Sequence, residues 1–258
     1  MDDHIVFGGH STVFIKMDKA IMLTDPNLSP WVWTLKRKTK PGLNQKQLES
    51  VNMVLVSHGH YDHLDLPTVK RLNRDAVIIV PKGLERYFTR NGFKDVRTLT
   101  WWEQTTVHNT RIIAVPANHF KGRHPLVSSL YQGYVIDGKY QIYFAGDTGW
   151  FDGLRDIGDI FRLNIAMLPI GAYKPWAILG HHMTPEDCVN AMQVIKAQYV
   201  IPIHWGTFKL SFERMDEPVE RLLSAAKRAG VERSIRILKP GDKIVIPELV
   251  NPKNAFAK

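Results

Sequence analysis

The stretch SHGHYDHLD, residues 57–65, decides how this chain folds. It sets His58, His60, Asp62 and His63 on a loop at the end of the apolar run VNMVLVS, residues 51–57. A short continuous apolar run predicts a strand buried on both faces. Imidazole nitrogens and a carboxylate are the ligands Zn²⁺ takes at about 2.0 to 2.2 Å, and a loop can turn several of them toward one point as a helix cannot. Outward from this loop the same placement recurs. His119 follows IIAVPAN, Asp147 stands in YFAGDTG and His204 in YVIPIHWG, each just after an apolar strand. A lone histidine such as His119 would read as an ordinary hydrogen-bonded residue. Seven donors from four strand ends predict instead a convergence at one face of a sheet, and they exceed the four that a closed single metal site uses.

The flanking sequence supplies the sheets. HIVFGG, STVFIKM and AIMLTDP are short β-rich runs broken by Gly9, Asp18 and Pro26, which suits an antiparallel meander. LPTVKRLN and LERYFTRNG read as helices around the strand AVIIVP, and RIIAVPA, YQGYVID and YQIYFAG as further strands. LNIAMLPI and YVIPIHW are apolar strands flanking a helix that opens at Thr184, with Pro185 at its first position and Glu186 and Asp187 in its first turn. A helix over VERLLSAAKRAG ends at Gly230. Sheets in two halves with helices outside imply an α/β (α+β) fold, a four-layer αββα sandwich. With no linker, repeat or low-complexity segment, residues 1–258 read as a single domain.

Composition narrows the function classes. The opening MDDHIVFGG is acidic where a secretory leader would be basic, and no apolar run approaches a membrane span, so the expectation is a cytoplasmic protein, at most membrane-peripheral. The single cysteine, Cys188, cannot form an internal disulfide and sits in a helix as a small hydrophobe. A formal charge of +9 favours a phosphate-bearing partner. Nucleic acid is the weaker choice, because no RNA-binding module or repeated aromatic-basic platform accompanies the charge.

HxHxDH, a lone histidine, AGDTG and then IHWGT follow the signature order of the metallo-β-lactamase superfamily. TWWEQ at 100–104, FAGDTG, LPIGAYKP and IPIHWGTF further resemble the N-acyl phosphatidylethanolamine-specific phospholipase D family, over about residues 9–241. The resemblance implies a metallo-β-lactamase fold holding two zinc ions, with iron or manganese as alternatives. His58, His60 and His119 would hold one ion, Asp62, His63 and His204 the other, with Asp147 bridging. His182, in HHMTPEDC, falls where that family has a catalytic pocket histidine. The implied reaction is phospholipase D-type hydrolysis of an N-acyl phosphatidylethanolamine-like phosphodiester by a metal-bridging hydroxide. His182 would orient the phosphate or donate a proton. A lactonase or carboxylic-ester hydrolase of the same fold is the alternative. FKGRHPLVSSLYQ, residues 120–132, differs from that family's pattern, and the chain opens almost directly at the fold, where the animal enzyme has a long N-terminal extension.

Four expectations surround the centre. Asp25 in LTDP could fix the tautomer of a ligand histidine. Asp65 could do the same or cap the helix that follows it. Tyr173 and Trp176 are candidate pocket walls. In WVWTLKRKTK, residues 31–40, Trp31 and Trp33 stand beside Lys36, Arg37, Lys38 and Lys40 in an apparent loop. That segment could touch an anionic membrane, pack inward over the site's rim, or track a nucleic-acid backbone.

Overall fold

The computed structural model describes residues 2–120, 130–174 and 180–250. Its opening meander is β1 (His4–Gly9), β2 (Thr12–Met17) and β3 (Ala20–Thr24). A two-stranded hairpin, β4 (Trp31–Val32) and β5 (Leu35–Lys36), follows, then α1 (Gln45–Ser50), β6 (Met53–Leu55) and α2 (Leu66–Val69). Next come β7 (Val77–Pro81), α3 (Glu85–Thr89), β8 (Val96–Leu99), β9 (Gln104–Val107) and β10 (Thr110–Val115). The second half holds β11 (Gly133–Asp137), β12 (Gln141–Phe144), α4 (Gly153–Ile160), β13 (Ile165–Pro169), α5 (Pro185–Val194) and β14 (Tyr199–Ile203). It ends with α6 (Glu217–Ala229), β15 (Lys243–Val245) and α7 (Ile246–Val250).

Two sheets result, in the orders β15-β1-β2-β3-β6-β7-β8 and β14-β13-β12-β11-β10-β9. The period-two alternation of apolar residues explains how they stack. Ile5, Phe7, Met22, Met53, Leu55 and Ile79 of the first sheet meet Ile112, Tyr134, Phe144, Met167 and Ile201 of the second in one core. The alternate residues face outward. Val6, Leu23, Val54 and Ile78 pack on Leu48 of α1, Val69 of α2 and Phe88 of α3. Ile113, Val135, Ala166 and Val200 pack on Ile157 of α4, Val189 and Met192 of α5 and Leu222 of α6. This is the expected αββα sandwich, and β6 is buried on both faces because its residues serve both cores. Each large apolar side chain removed from water here contributes roughly 1.5 to 3 kcal/mol before the entropy of ordering is set against it.

Local signals behave as their chemistry predicts. Thr184 caps α5, accepting from the Asp187 amide at 3.1 Å while Asp187 accepts from the Thr184 amide at 3.0 Å. Gly230 closes α6 at φ +70°. Cys188 is buried in α5, and burial raises its thiol well out of reactive range. Residues 31–40 are not a plain loop, because β4 and β5 pair antiparallel. The Lys38 amide also donates to the Thr207 carbonyl, at 2.8 Å.

One polar contact crosses the apolar core and sets the two sheets in register at the functional edge. The Tyr134 hydroxyl, on β11, donates to the carbonyl of Val56 at 2.8 Å, just past β6, and accepts from Gln132 Nε2 at 2.8 Å. Tyr134 is fully buried. Tyr134→Phe keeps the ring and leaves a buried carbonyl poorly satisfied, so urea unfolding should report a loss of about 1 to 3 kcal/mol.

Candidate metal centre

Strand direction explains why the predicted ligands meet. In the first sheet β1, β3, β6, β7 and β8 run the same way, with β2 and β15 opposed. In the second, β10, β12, β13 and β14 share one direction. His58, His60, Asp62 and His63 follow β6, His119 follows β10, Asp147 follows β12 and His204 follows β14. All seven therefore leave from like ends of like-directed strands, and the stacked sheets bring those ends together.

The donor atoms form two four-residue groups, His58, His60 and His119 with Asp147, and Asp62, His63 and His204 with His10, and Asp147 also reaches the second. In the first, His58 Nε2 lies 2.9 Å from His60 Nδ1, which lies 3.2 Å from His119 Nε2. Asp147 Oδ2 stands 3.9 Å from both His58 Nε2 and His119 Nε2. In the second, the same Asp147 oxygen is 3.1 Å from His63 Nε2 and 3.2 Å from His204 Nε2. Asp62 Oδ2 is 3.3 Å from His204 Nε2 and 3.5 Å from His63 Nε2. Four donors at about 2.0 to 2.1 Å in a tetrahedron stand roughly 3.3 Å apart, and the four distances from His63 and His204 to the two carboxylates match that spacing.

The outer ring nitrogens prepare these lone pairs. His63 Nδ1–H donates to Asp25 Oδ2 at 2.6 Å, and His119 Nδ1–H to the His181 carbonyl at 3.0 Å, so each Nε2 presents its lone pair inward. His58 Nδ1 meets Ser57 Oγ at 2.9 Å, and Asp25 also accepts from the Ser57 amide at 2.7 Å and hydroxyl at 2.6 Å. Asp25 thus fills the orienting role its position suggested. Asp65 does not: it caps α2 through the Thr68 amide at 3.0 Å and accepts from Ser29 Oγ at 2.7 Å. Gly146, in AGDTG, sits at φ +61°, and a Cβ there would collide with the Ser57 side chain. Only glycine lets the Asp147 loop lie against the serine that backs His58.

The electrostatics ask for a cation. Burial disfavours charge on Asp62 and Asp147, yet His63 and His204 beside them hold both carboxyls well below the usual range. Burial likewise opposes charge on the rings, but Asp147 leads the carboxylates that push His63 well above its ordinary value and His204 up to about 9. His63 Nε2 and Asp147 Oδ1 are buried without a hydrogen bond of acceptable geometry. Orphaned donors, convergent imidazoles and buried carboxylates together fit the binding of divalent metal.

His182 lies beside this constellation, its Nδ1 3.9 Å from Asp147 Oδ2 and its ring 7% exposed. Burial pulls its pKa down to about 4 against the pull of Asp147, which leaves a neutral ring. Tyr173 is buried, and its hydroxyl donates to Glu217 of α6 at 3.0 Å. Trp176 lies outside the described residues, as do residues 121–129 of the divergent segment. Among the described residues, a cavity of about 410 Å³ opens against His60 and Asp62 and is lined by Val32, Trp33, Leu35, Tyr61, Phe120 and Leu210. Trp31 and Trp33 are 51% and 76% exposed, and Trp33 stands at the rim of this cavity with its ring 5.3 Å from that of Tyr61. Lys36, Lys38 and Lys40 are exposed, but Arg37 is buried and cannot join a surface patch. Its guanidinium donates to the Ser29 and Asn27 carbonyls at 2.8 and 2.7 Å.

One residue in the constellation was not anticipated. His10 is buried, with Nε2 3.0 Å from Asp62 Oδ2 and its ring 4.1 Å from that of His204. The signal that marks His119 and His204 also marks His10, since HIVFGG is an apolar run and His10 follows it directly. Reading that run only as part of a meander hid the strand end.

The sequence model of the family described as the beta-lactamase superfamily domain matches residues 21–205. The N-acyl-phosphatidylethanolamine-hydrolyzing phospholipase D 1 of Caenorhabditis elegans is 32% identical over 83% of the chain and 67% of its own length. The mitochondrial enzyme of the same description from Saccharomyces cerevisiae is 35% identical over 88% of the chain, which spans about half (51%) of that relative. A Veillonella parvula structure, described as a possible metal-dependent hydrolase, superposes with a TM-score of 0.79 at 17% identity and covers 95% of this chain and 100% of its own. A family match over most of the chain, relatives above 30% identity and a shared fold lead to one conclusion: the chain belongs to the metallo-β-lactamase superfamily and is a metal-dependent hydrolase.

Proposed function

We propose that the chain is a dinuclear zinc phosphodiesterase of phospholipase D type, acting on phospholipid-like diesters that carry an apolar arm. His58, His60 and His119 hold one ion, Asp62, His63 and His204 the other, and Asp147 both. The observation that carries the substrate class is the apolar cavity opening against His60 and Asp62, which offers an acyl chain a place beside the reacting phosphate. The names of the worm and yeast relatives support the same class. The donor set, imidazole with carboxylate, suits zinc and also accepts iron or manganese.

Bound there, two such ions would lower the pKa of a water and neutralise charge on the phosphate and its leaving oxygen. The chain's own residues do the rest. Asp25 and Ser57 hold His63 and His58 in one orientation, so little rearrangement is needed at the moment of reaction. His182, neutral and buried beside Asp147, orients a phosphoryl oxygen by donating a hydrogen bond, and the departing alkoxide takes its proton from water. Trp33, Leu35, Phe120 and Leu210 exclude water from the apolar arm. Cleavage of the P–O bond by water then yields a phosphatidate-type acid and an N-acyl amino alcohol. Trp31 and Trp33 with Lys36, Lys38 and Lys40 form an apolar and basic mouth suited to an anionic bilayer surface. No helix among the described residues is long and apolar enough to cross a membrane, so the contact we infer is peripheral.

Side-by-side turnover of an N-acyl phosphatidylethanolamine, an acyl homoserine lactone and single-stranded RNA should favour the phospholipid. Preference for the lactone would move the reading to an ester hydrolase using the same centre. His182→Ala should lower turnover of the phosphodiester by roughly 10² with metal content unchanged. Loss of metal would instead make His182 a ligand. Reversing Lys36, Lys38 and Lys40 to glutamate should weaken sedimentation with anionic vesicles by roughly 10²-fold, at about 1 kcal/mol per basic residue, while hydrolysis of a soluble diester persists. Failure of the unaltered chain to bind anionic vesicles at low salt would leave a soluble diester as the substrate.

A further inference from the structure

His10 has no place in the seven-residue ligand set, yet its ring is buried inside it. Its one side-chain hydrogen bond is from Nε2 to Asp62 Oδ2, at 3.0 Å. Its Nδ1 is buried and has no partner among the described residues. The two nitrogens together settle the tautomer. With the proton on Nε2, the ring donates to the carboxylate and leaves only an unused lone pair on Nδ1. With the proton on Nδ1, a buried N–H would lack an acceptor and an Nε2 lone pair would face a carboxylate oxygen, which is costlier on both counts.

The backbone of His10 is as constrained as its ring. Its carbonyl accepts from the His204 amide at 3.0 Å, and its amide donates to Thr207 Oγ1 at 2.9 Å. Both His10 and His204 hold positive φ, 60° and 58°. Non-glycine residues keep that conformation only where surrounding contacts over-determine it. Behind the ring, Phe208 packs edge-on at 5.5 Å, and the Arg37 guanidinium lies 4.8 Å from the Phe208 ring centre.

We propose that His10 is a positioning residue for the second metal group: its Nε2–H fixes the Asp62 carboxylate in the orientation that meets His63 and His204. The inference rests on the reading that Asp62, His63 and His204 hold an ion. The donor atoms of His10, Asp62, His63 and His204 all lie within 4.8 Å of one another, so the roles open to His10 are ligand and donor to Asp62, and the Nε2–Asp62 hydrogen bond at 3.0 Å favours the second. A residue at the end of β1, remote in sequence from every ligand, thus contributes to the affinity of one ion and not of the other.

The test compares the zinc-loaded full chain with His10→Ala and His10→Gln, the glutamine amide being able to donate from nearly the same position. Titration with a competing chelator should show one of two ions released roughly 10- to 100-fold more readily in His10→Ala, the other unchanged, and most of the loss restored in His10→Gln. Unchanged release in His10→Ala, with two ions in the unaltered chain, would overturn the positioning role alone. Fewer than two ions in the unaltered chain would overturn the ligand assignment and this inference with it. Should His10→Ala fail to fold, the unaltered chain still decides. Loaded with cadmium and labelled for nitrogen NMR, it should show metal splitting at His63 and His204 and none at His10, and splitting at His10 would make it a ligand and end the proposal.

Discussion

Two carboxylates, buried Asp147 and half-buried Asp62, stand at the seam where the two sheets meet, and the rest of the centre is arranged around them. An isolated buried carboxylate costs several kcal/mol even after the protein relaxes. Here the cost is offset by positive charge, for which the imidazoles of His63 and His204 stand at 3.1 to 3.5 Å from the carboxylate oxygens. A divalent ion supplies the same charge more compactly and satisfies the orphaned His63 Nε2 at the same time. Metal binding and folding of this edge are thus coupled: groups held in place to receive an ion are groups that repel or go unsatisfied without one.

That coupling explains how much of the surrounding sequence is spent on orientation. Asp25 sits at the end of β3, at φ 33°, and one carboxylate serves the Ser57 amide, the Ser57 hydroxyl and His63. Ser57 passes the constraint to His58, and Gly146 leaves room for it against the Asp147 loop. Asn27, two residues after Asp25, donates to the Tyr61 carbonyl at 3.0 Å and accepts from Arg37. Buried Arg37 therefore ties the β4–β5 hairpin to the ligand loop, and the wall of the apolar cavity is held to the metal centre by the same hydrogen bonds that shape the loop. A residue that looked in sequence like part of a basic surface patch is a structural tie.

The division between surface and interior also bears on how a substrate enters. Trp33 and Phe120, both exposed, flank His60 and Asp62, and the Trp33 ring meets Tyr61 at 5.3 Å. Aromatic side chains offer large contact area at little cost in rotamer entropy, which suits a mouth that admits chains of varied length. Under the proposed function, specificity for the reacting group would reside in the polar centre and tolerance for the rest of the substrate in the aromatic mouth.

Local chemistry is written in local sequence, and this is why the fold and the convergence of the candidate ligands were legible. VNMVLVS ending in SHGHYDHLD, His119 after IIAVPAN, Asp147 in AGDTG and His204 in IPIHWG each carry their signal within about ten residues: an apolar strand, a stop, a donor. The capping of α5 and the glycine end of α6 are likewise set by neighbours three or four residues away. Direction, partner and depth were decided only by the tertiary structure. The competition at Asp65 went to capping because α2 begins beside it, whereas Asp25 reached His63 because β3 and β6 are parallel neighbours whose ends coincide. Arg37 and Tyr173 turned inward toward partners distant in sequence, and His10 met Asp62 across 52 residues. Such contacts depend on which strands lie side by side and which faces are stacked, and hydrophobic periodicity, which reports burial but not partner, does not encode them.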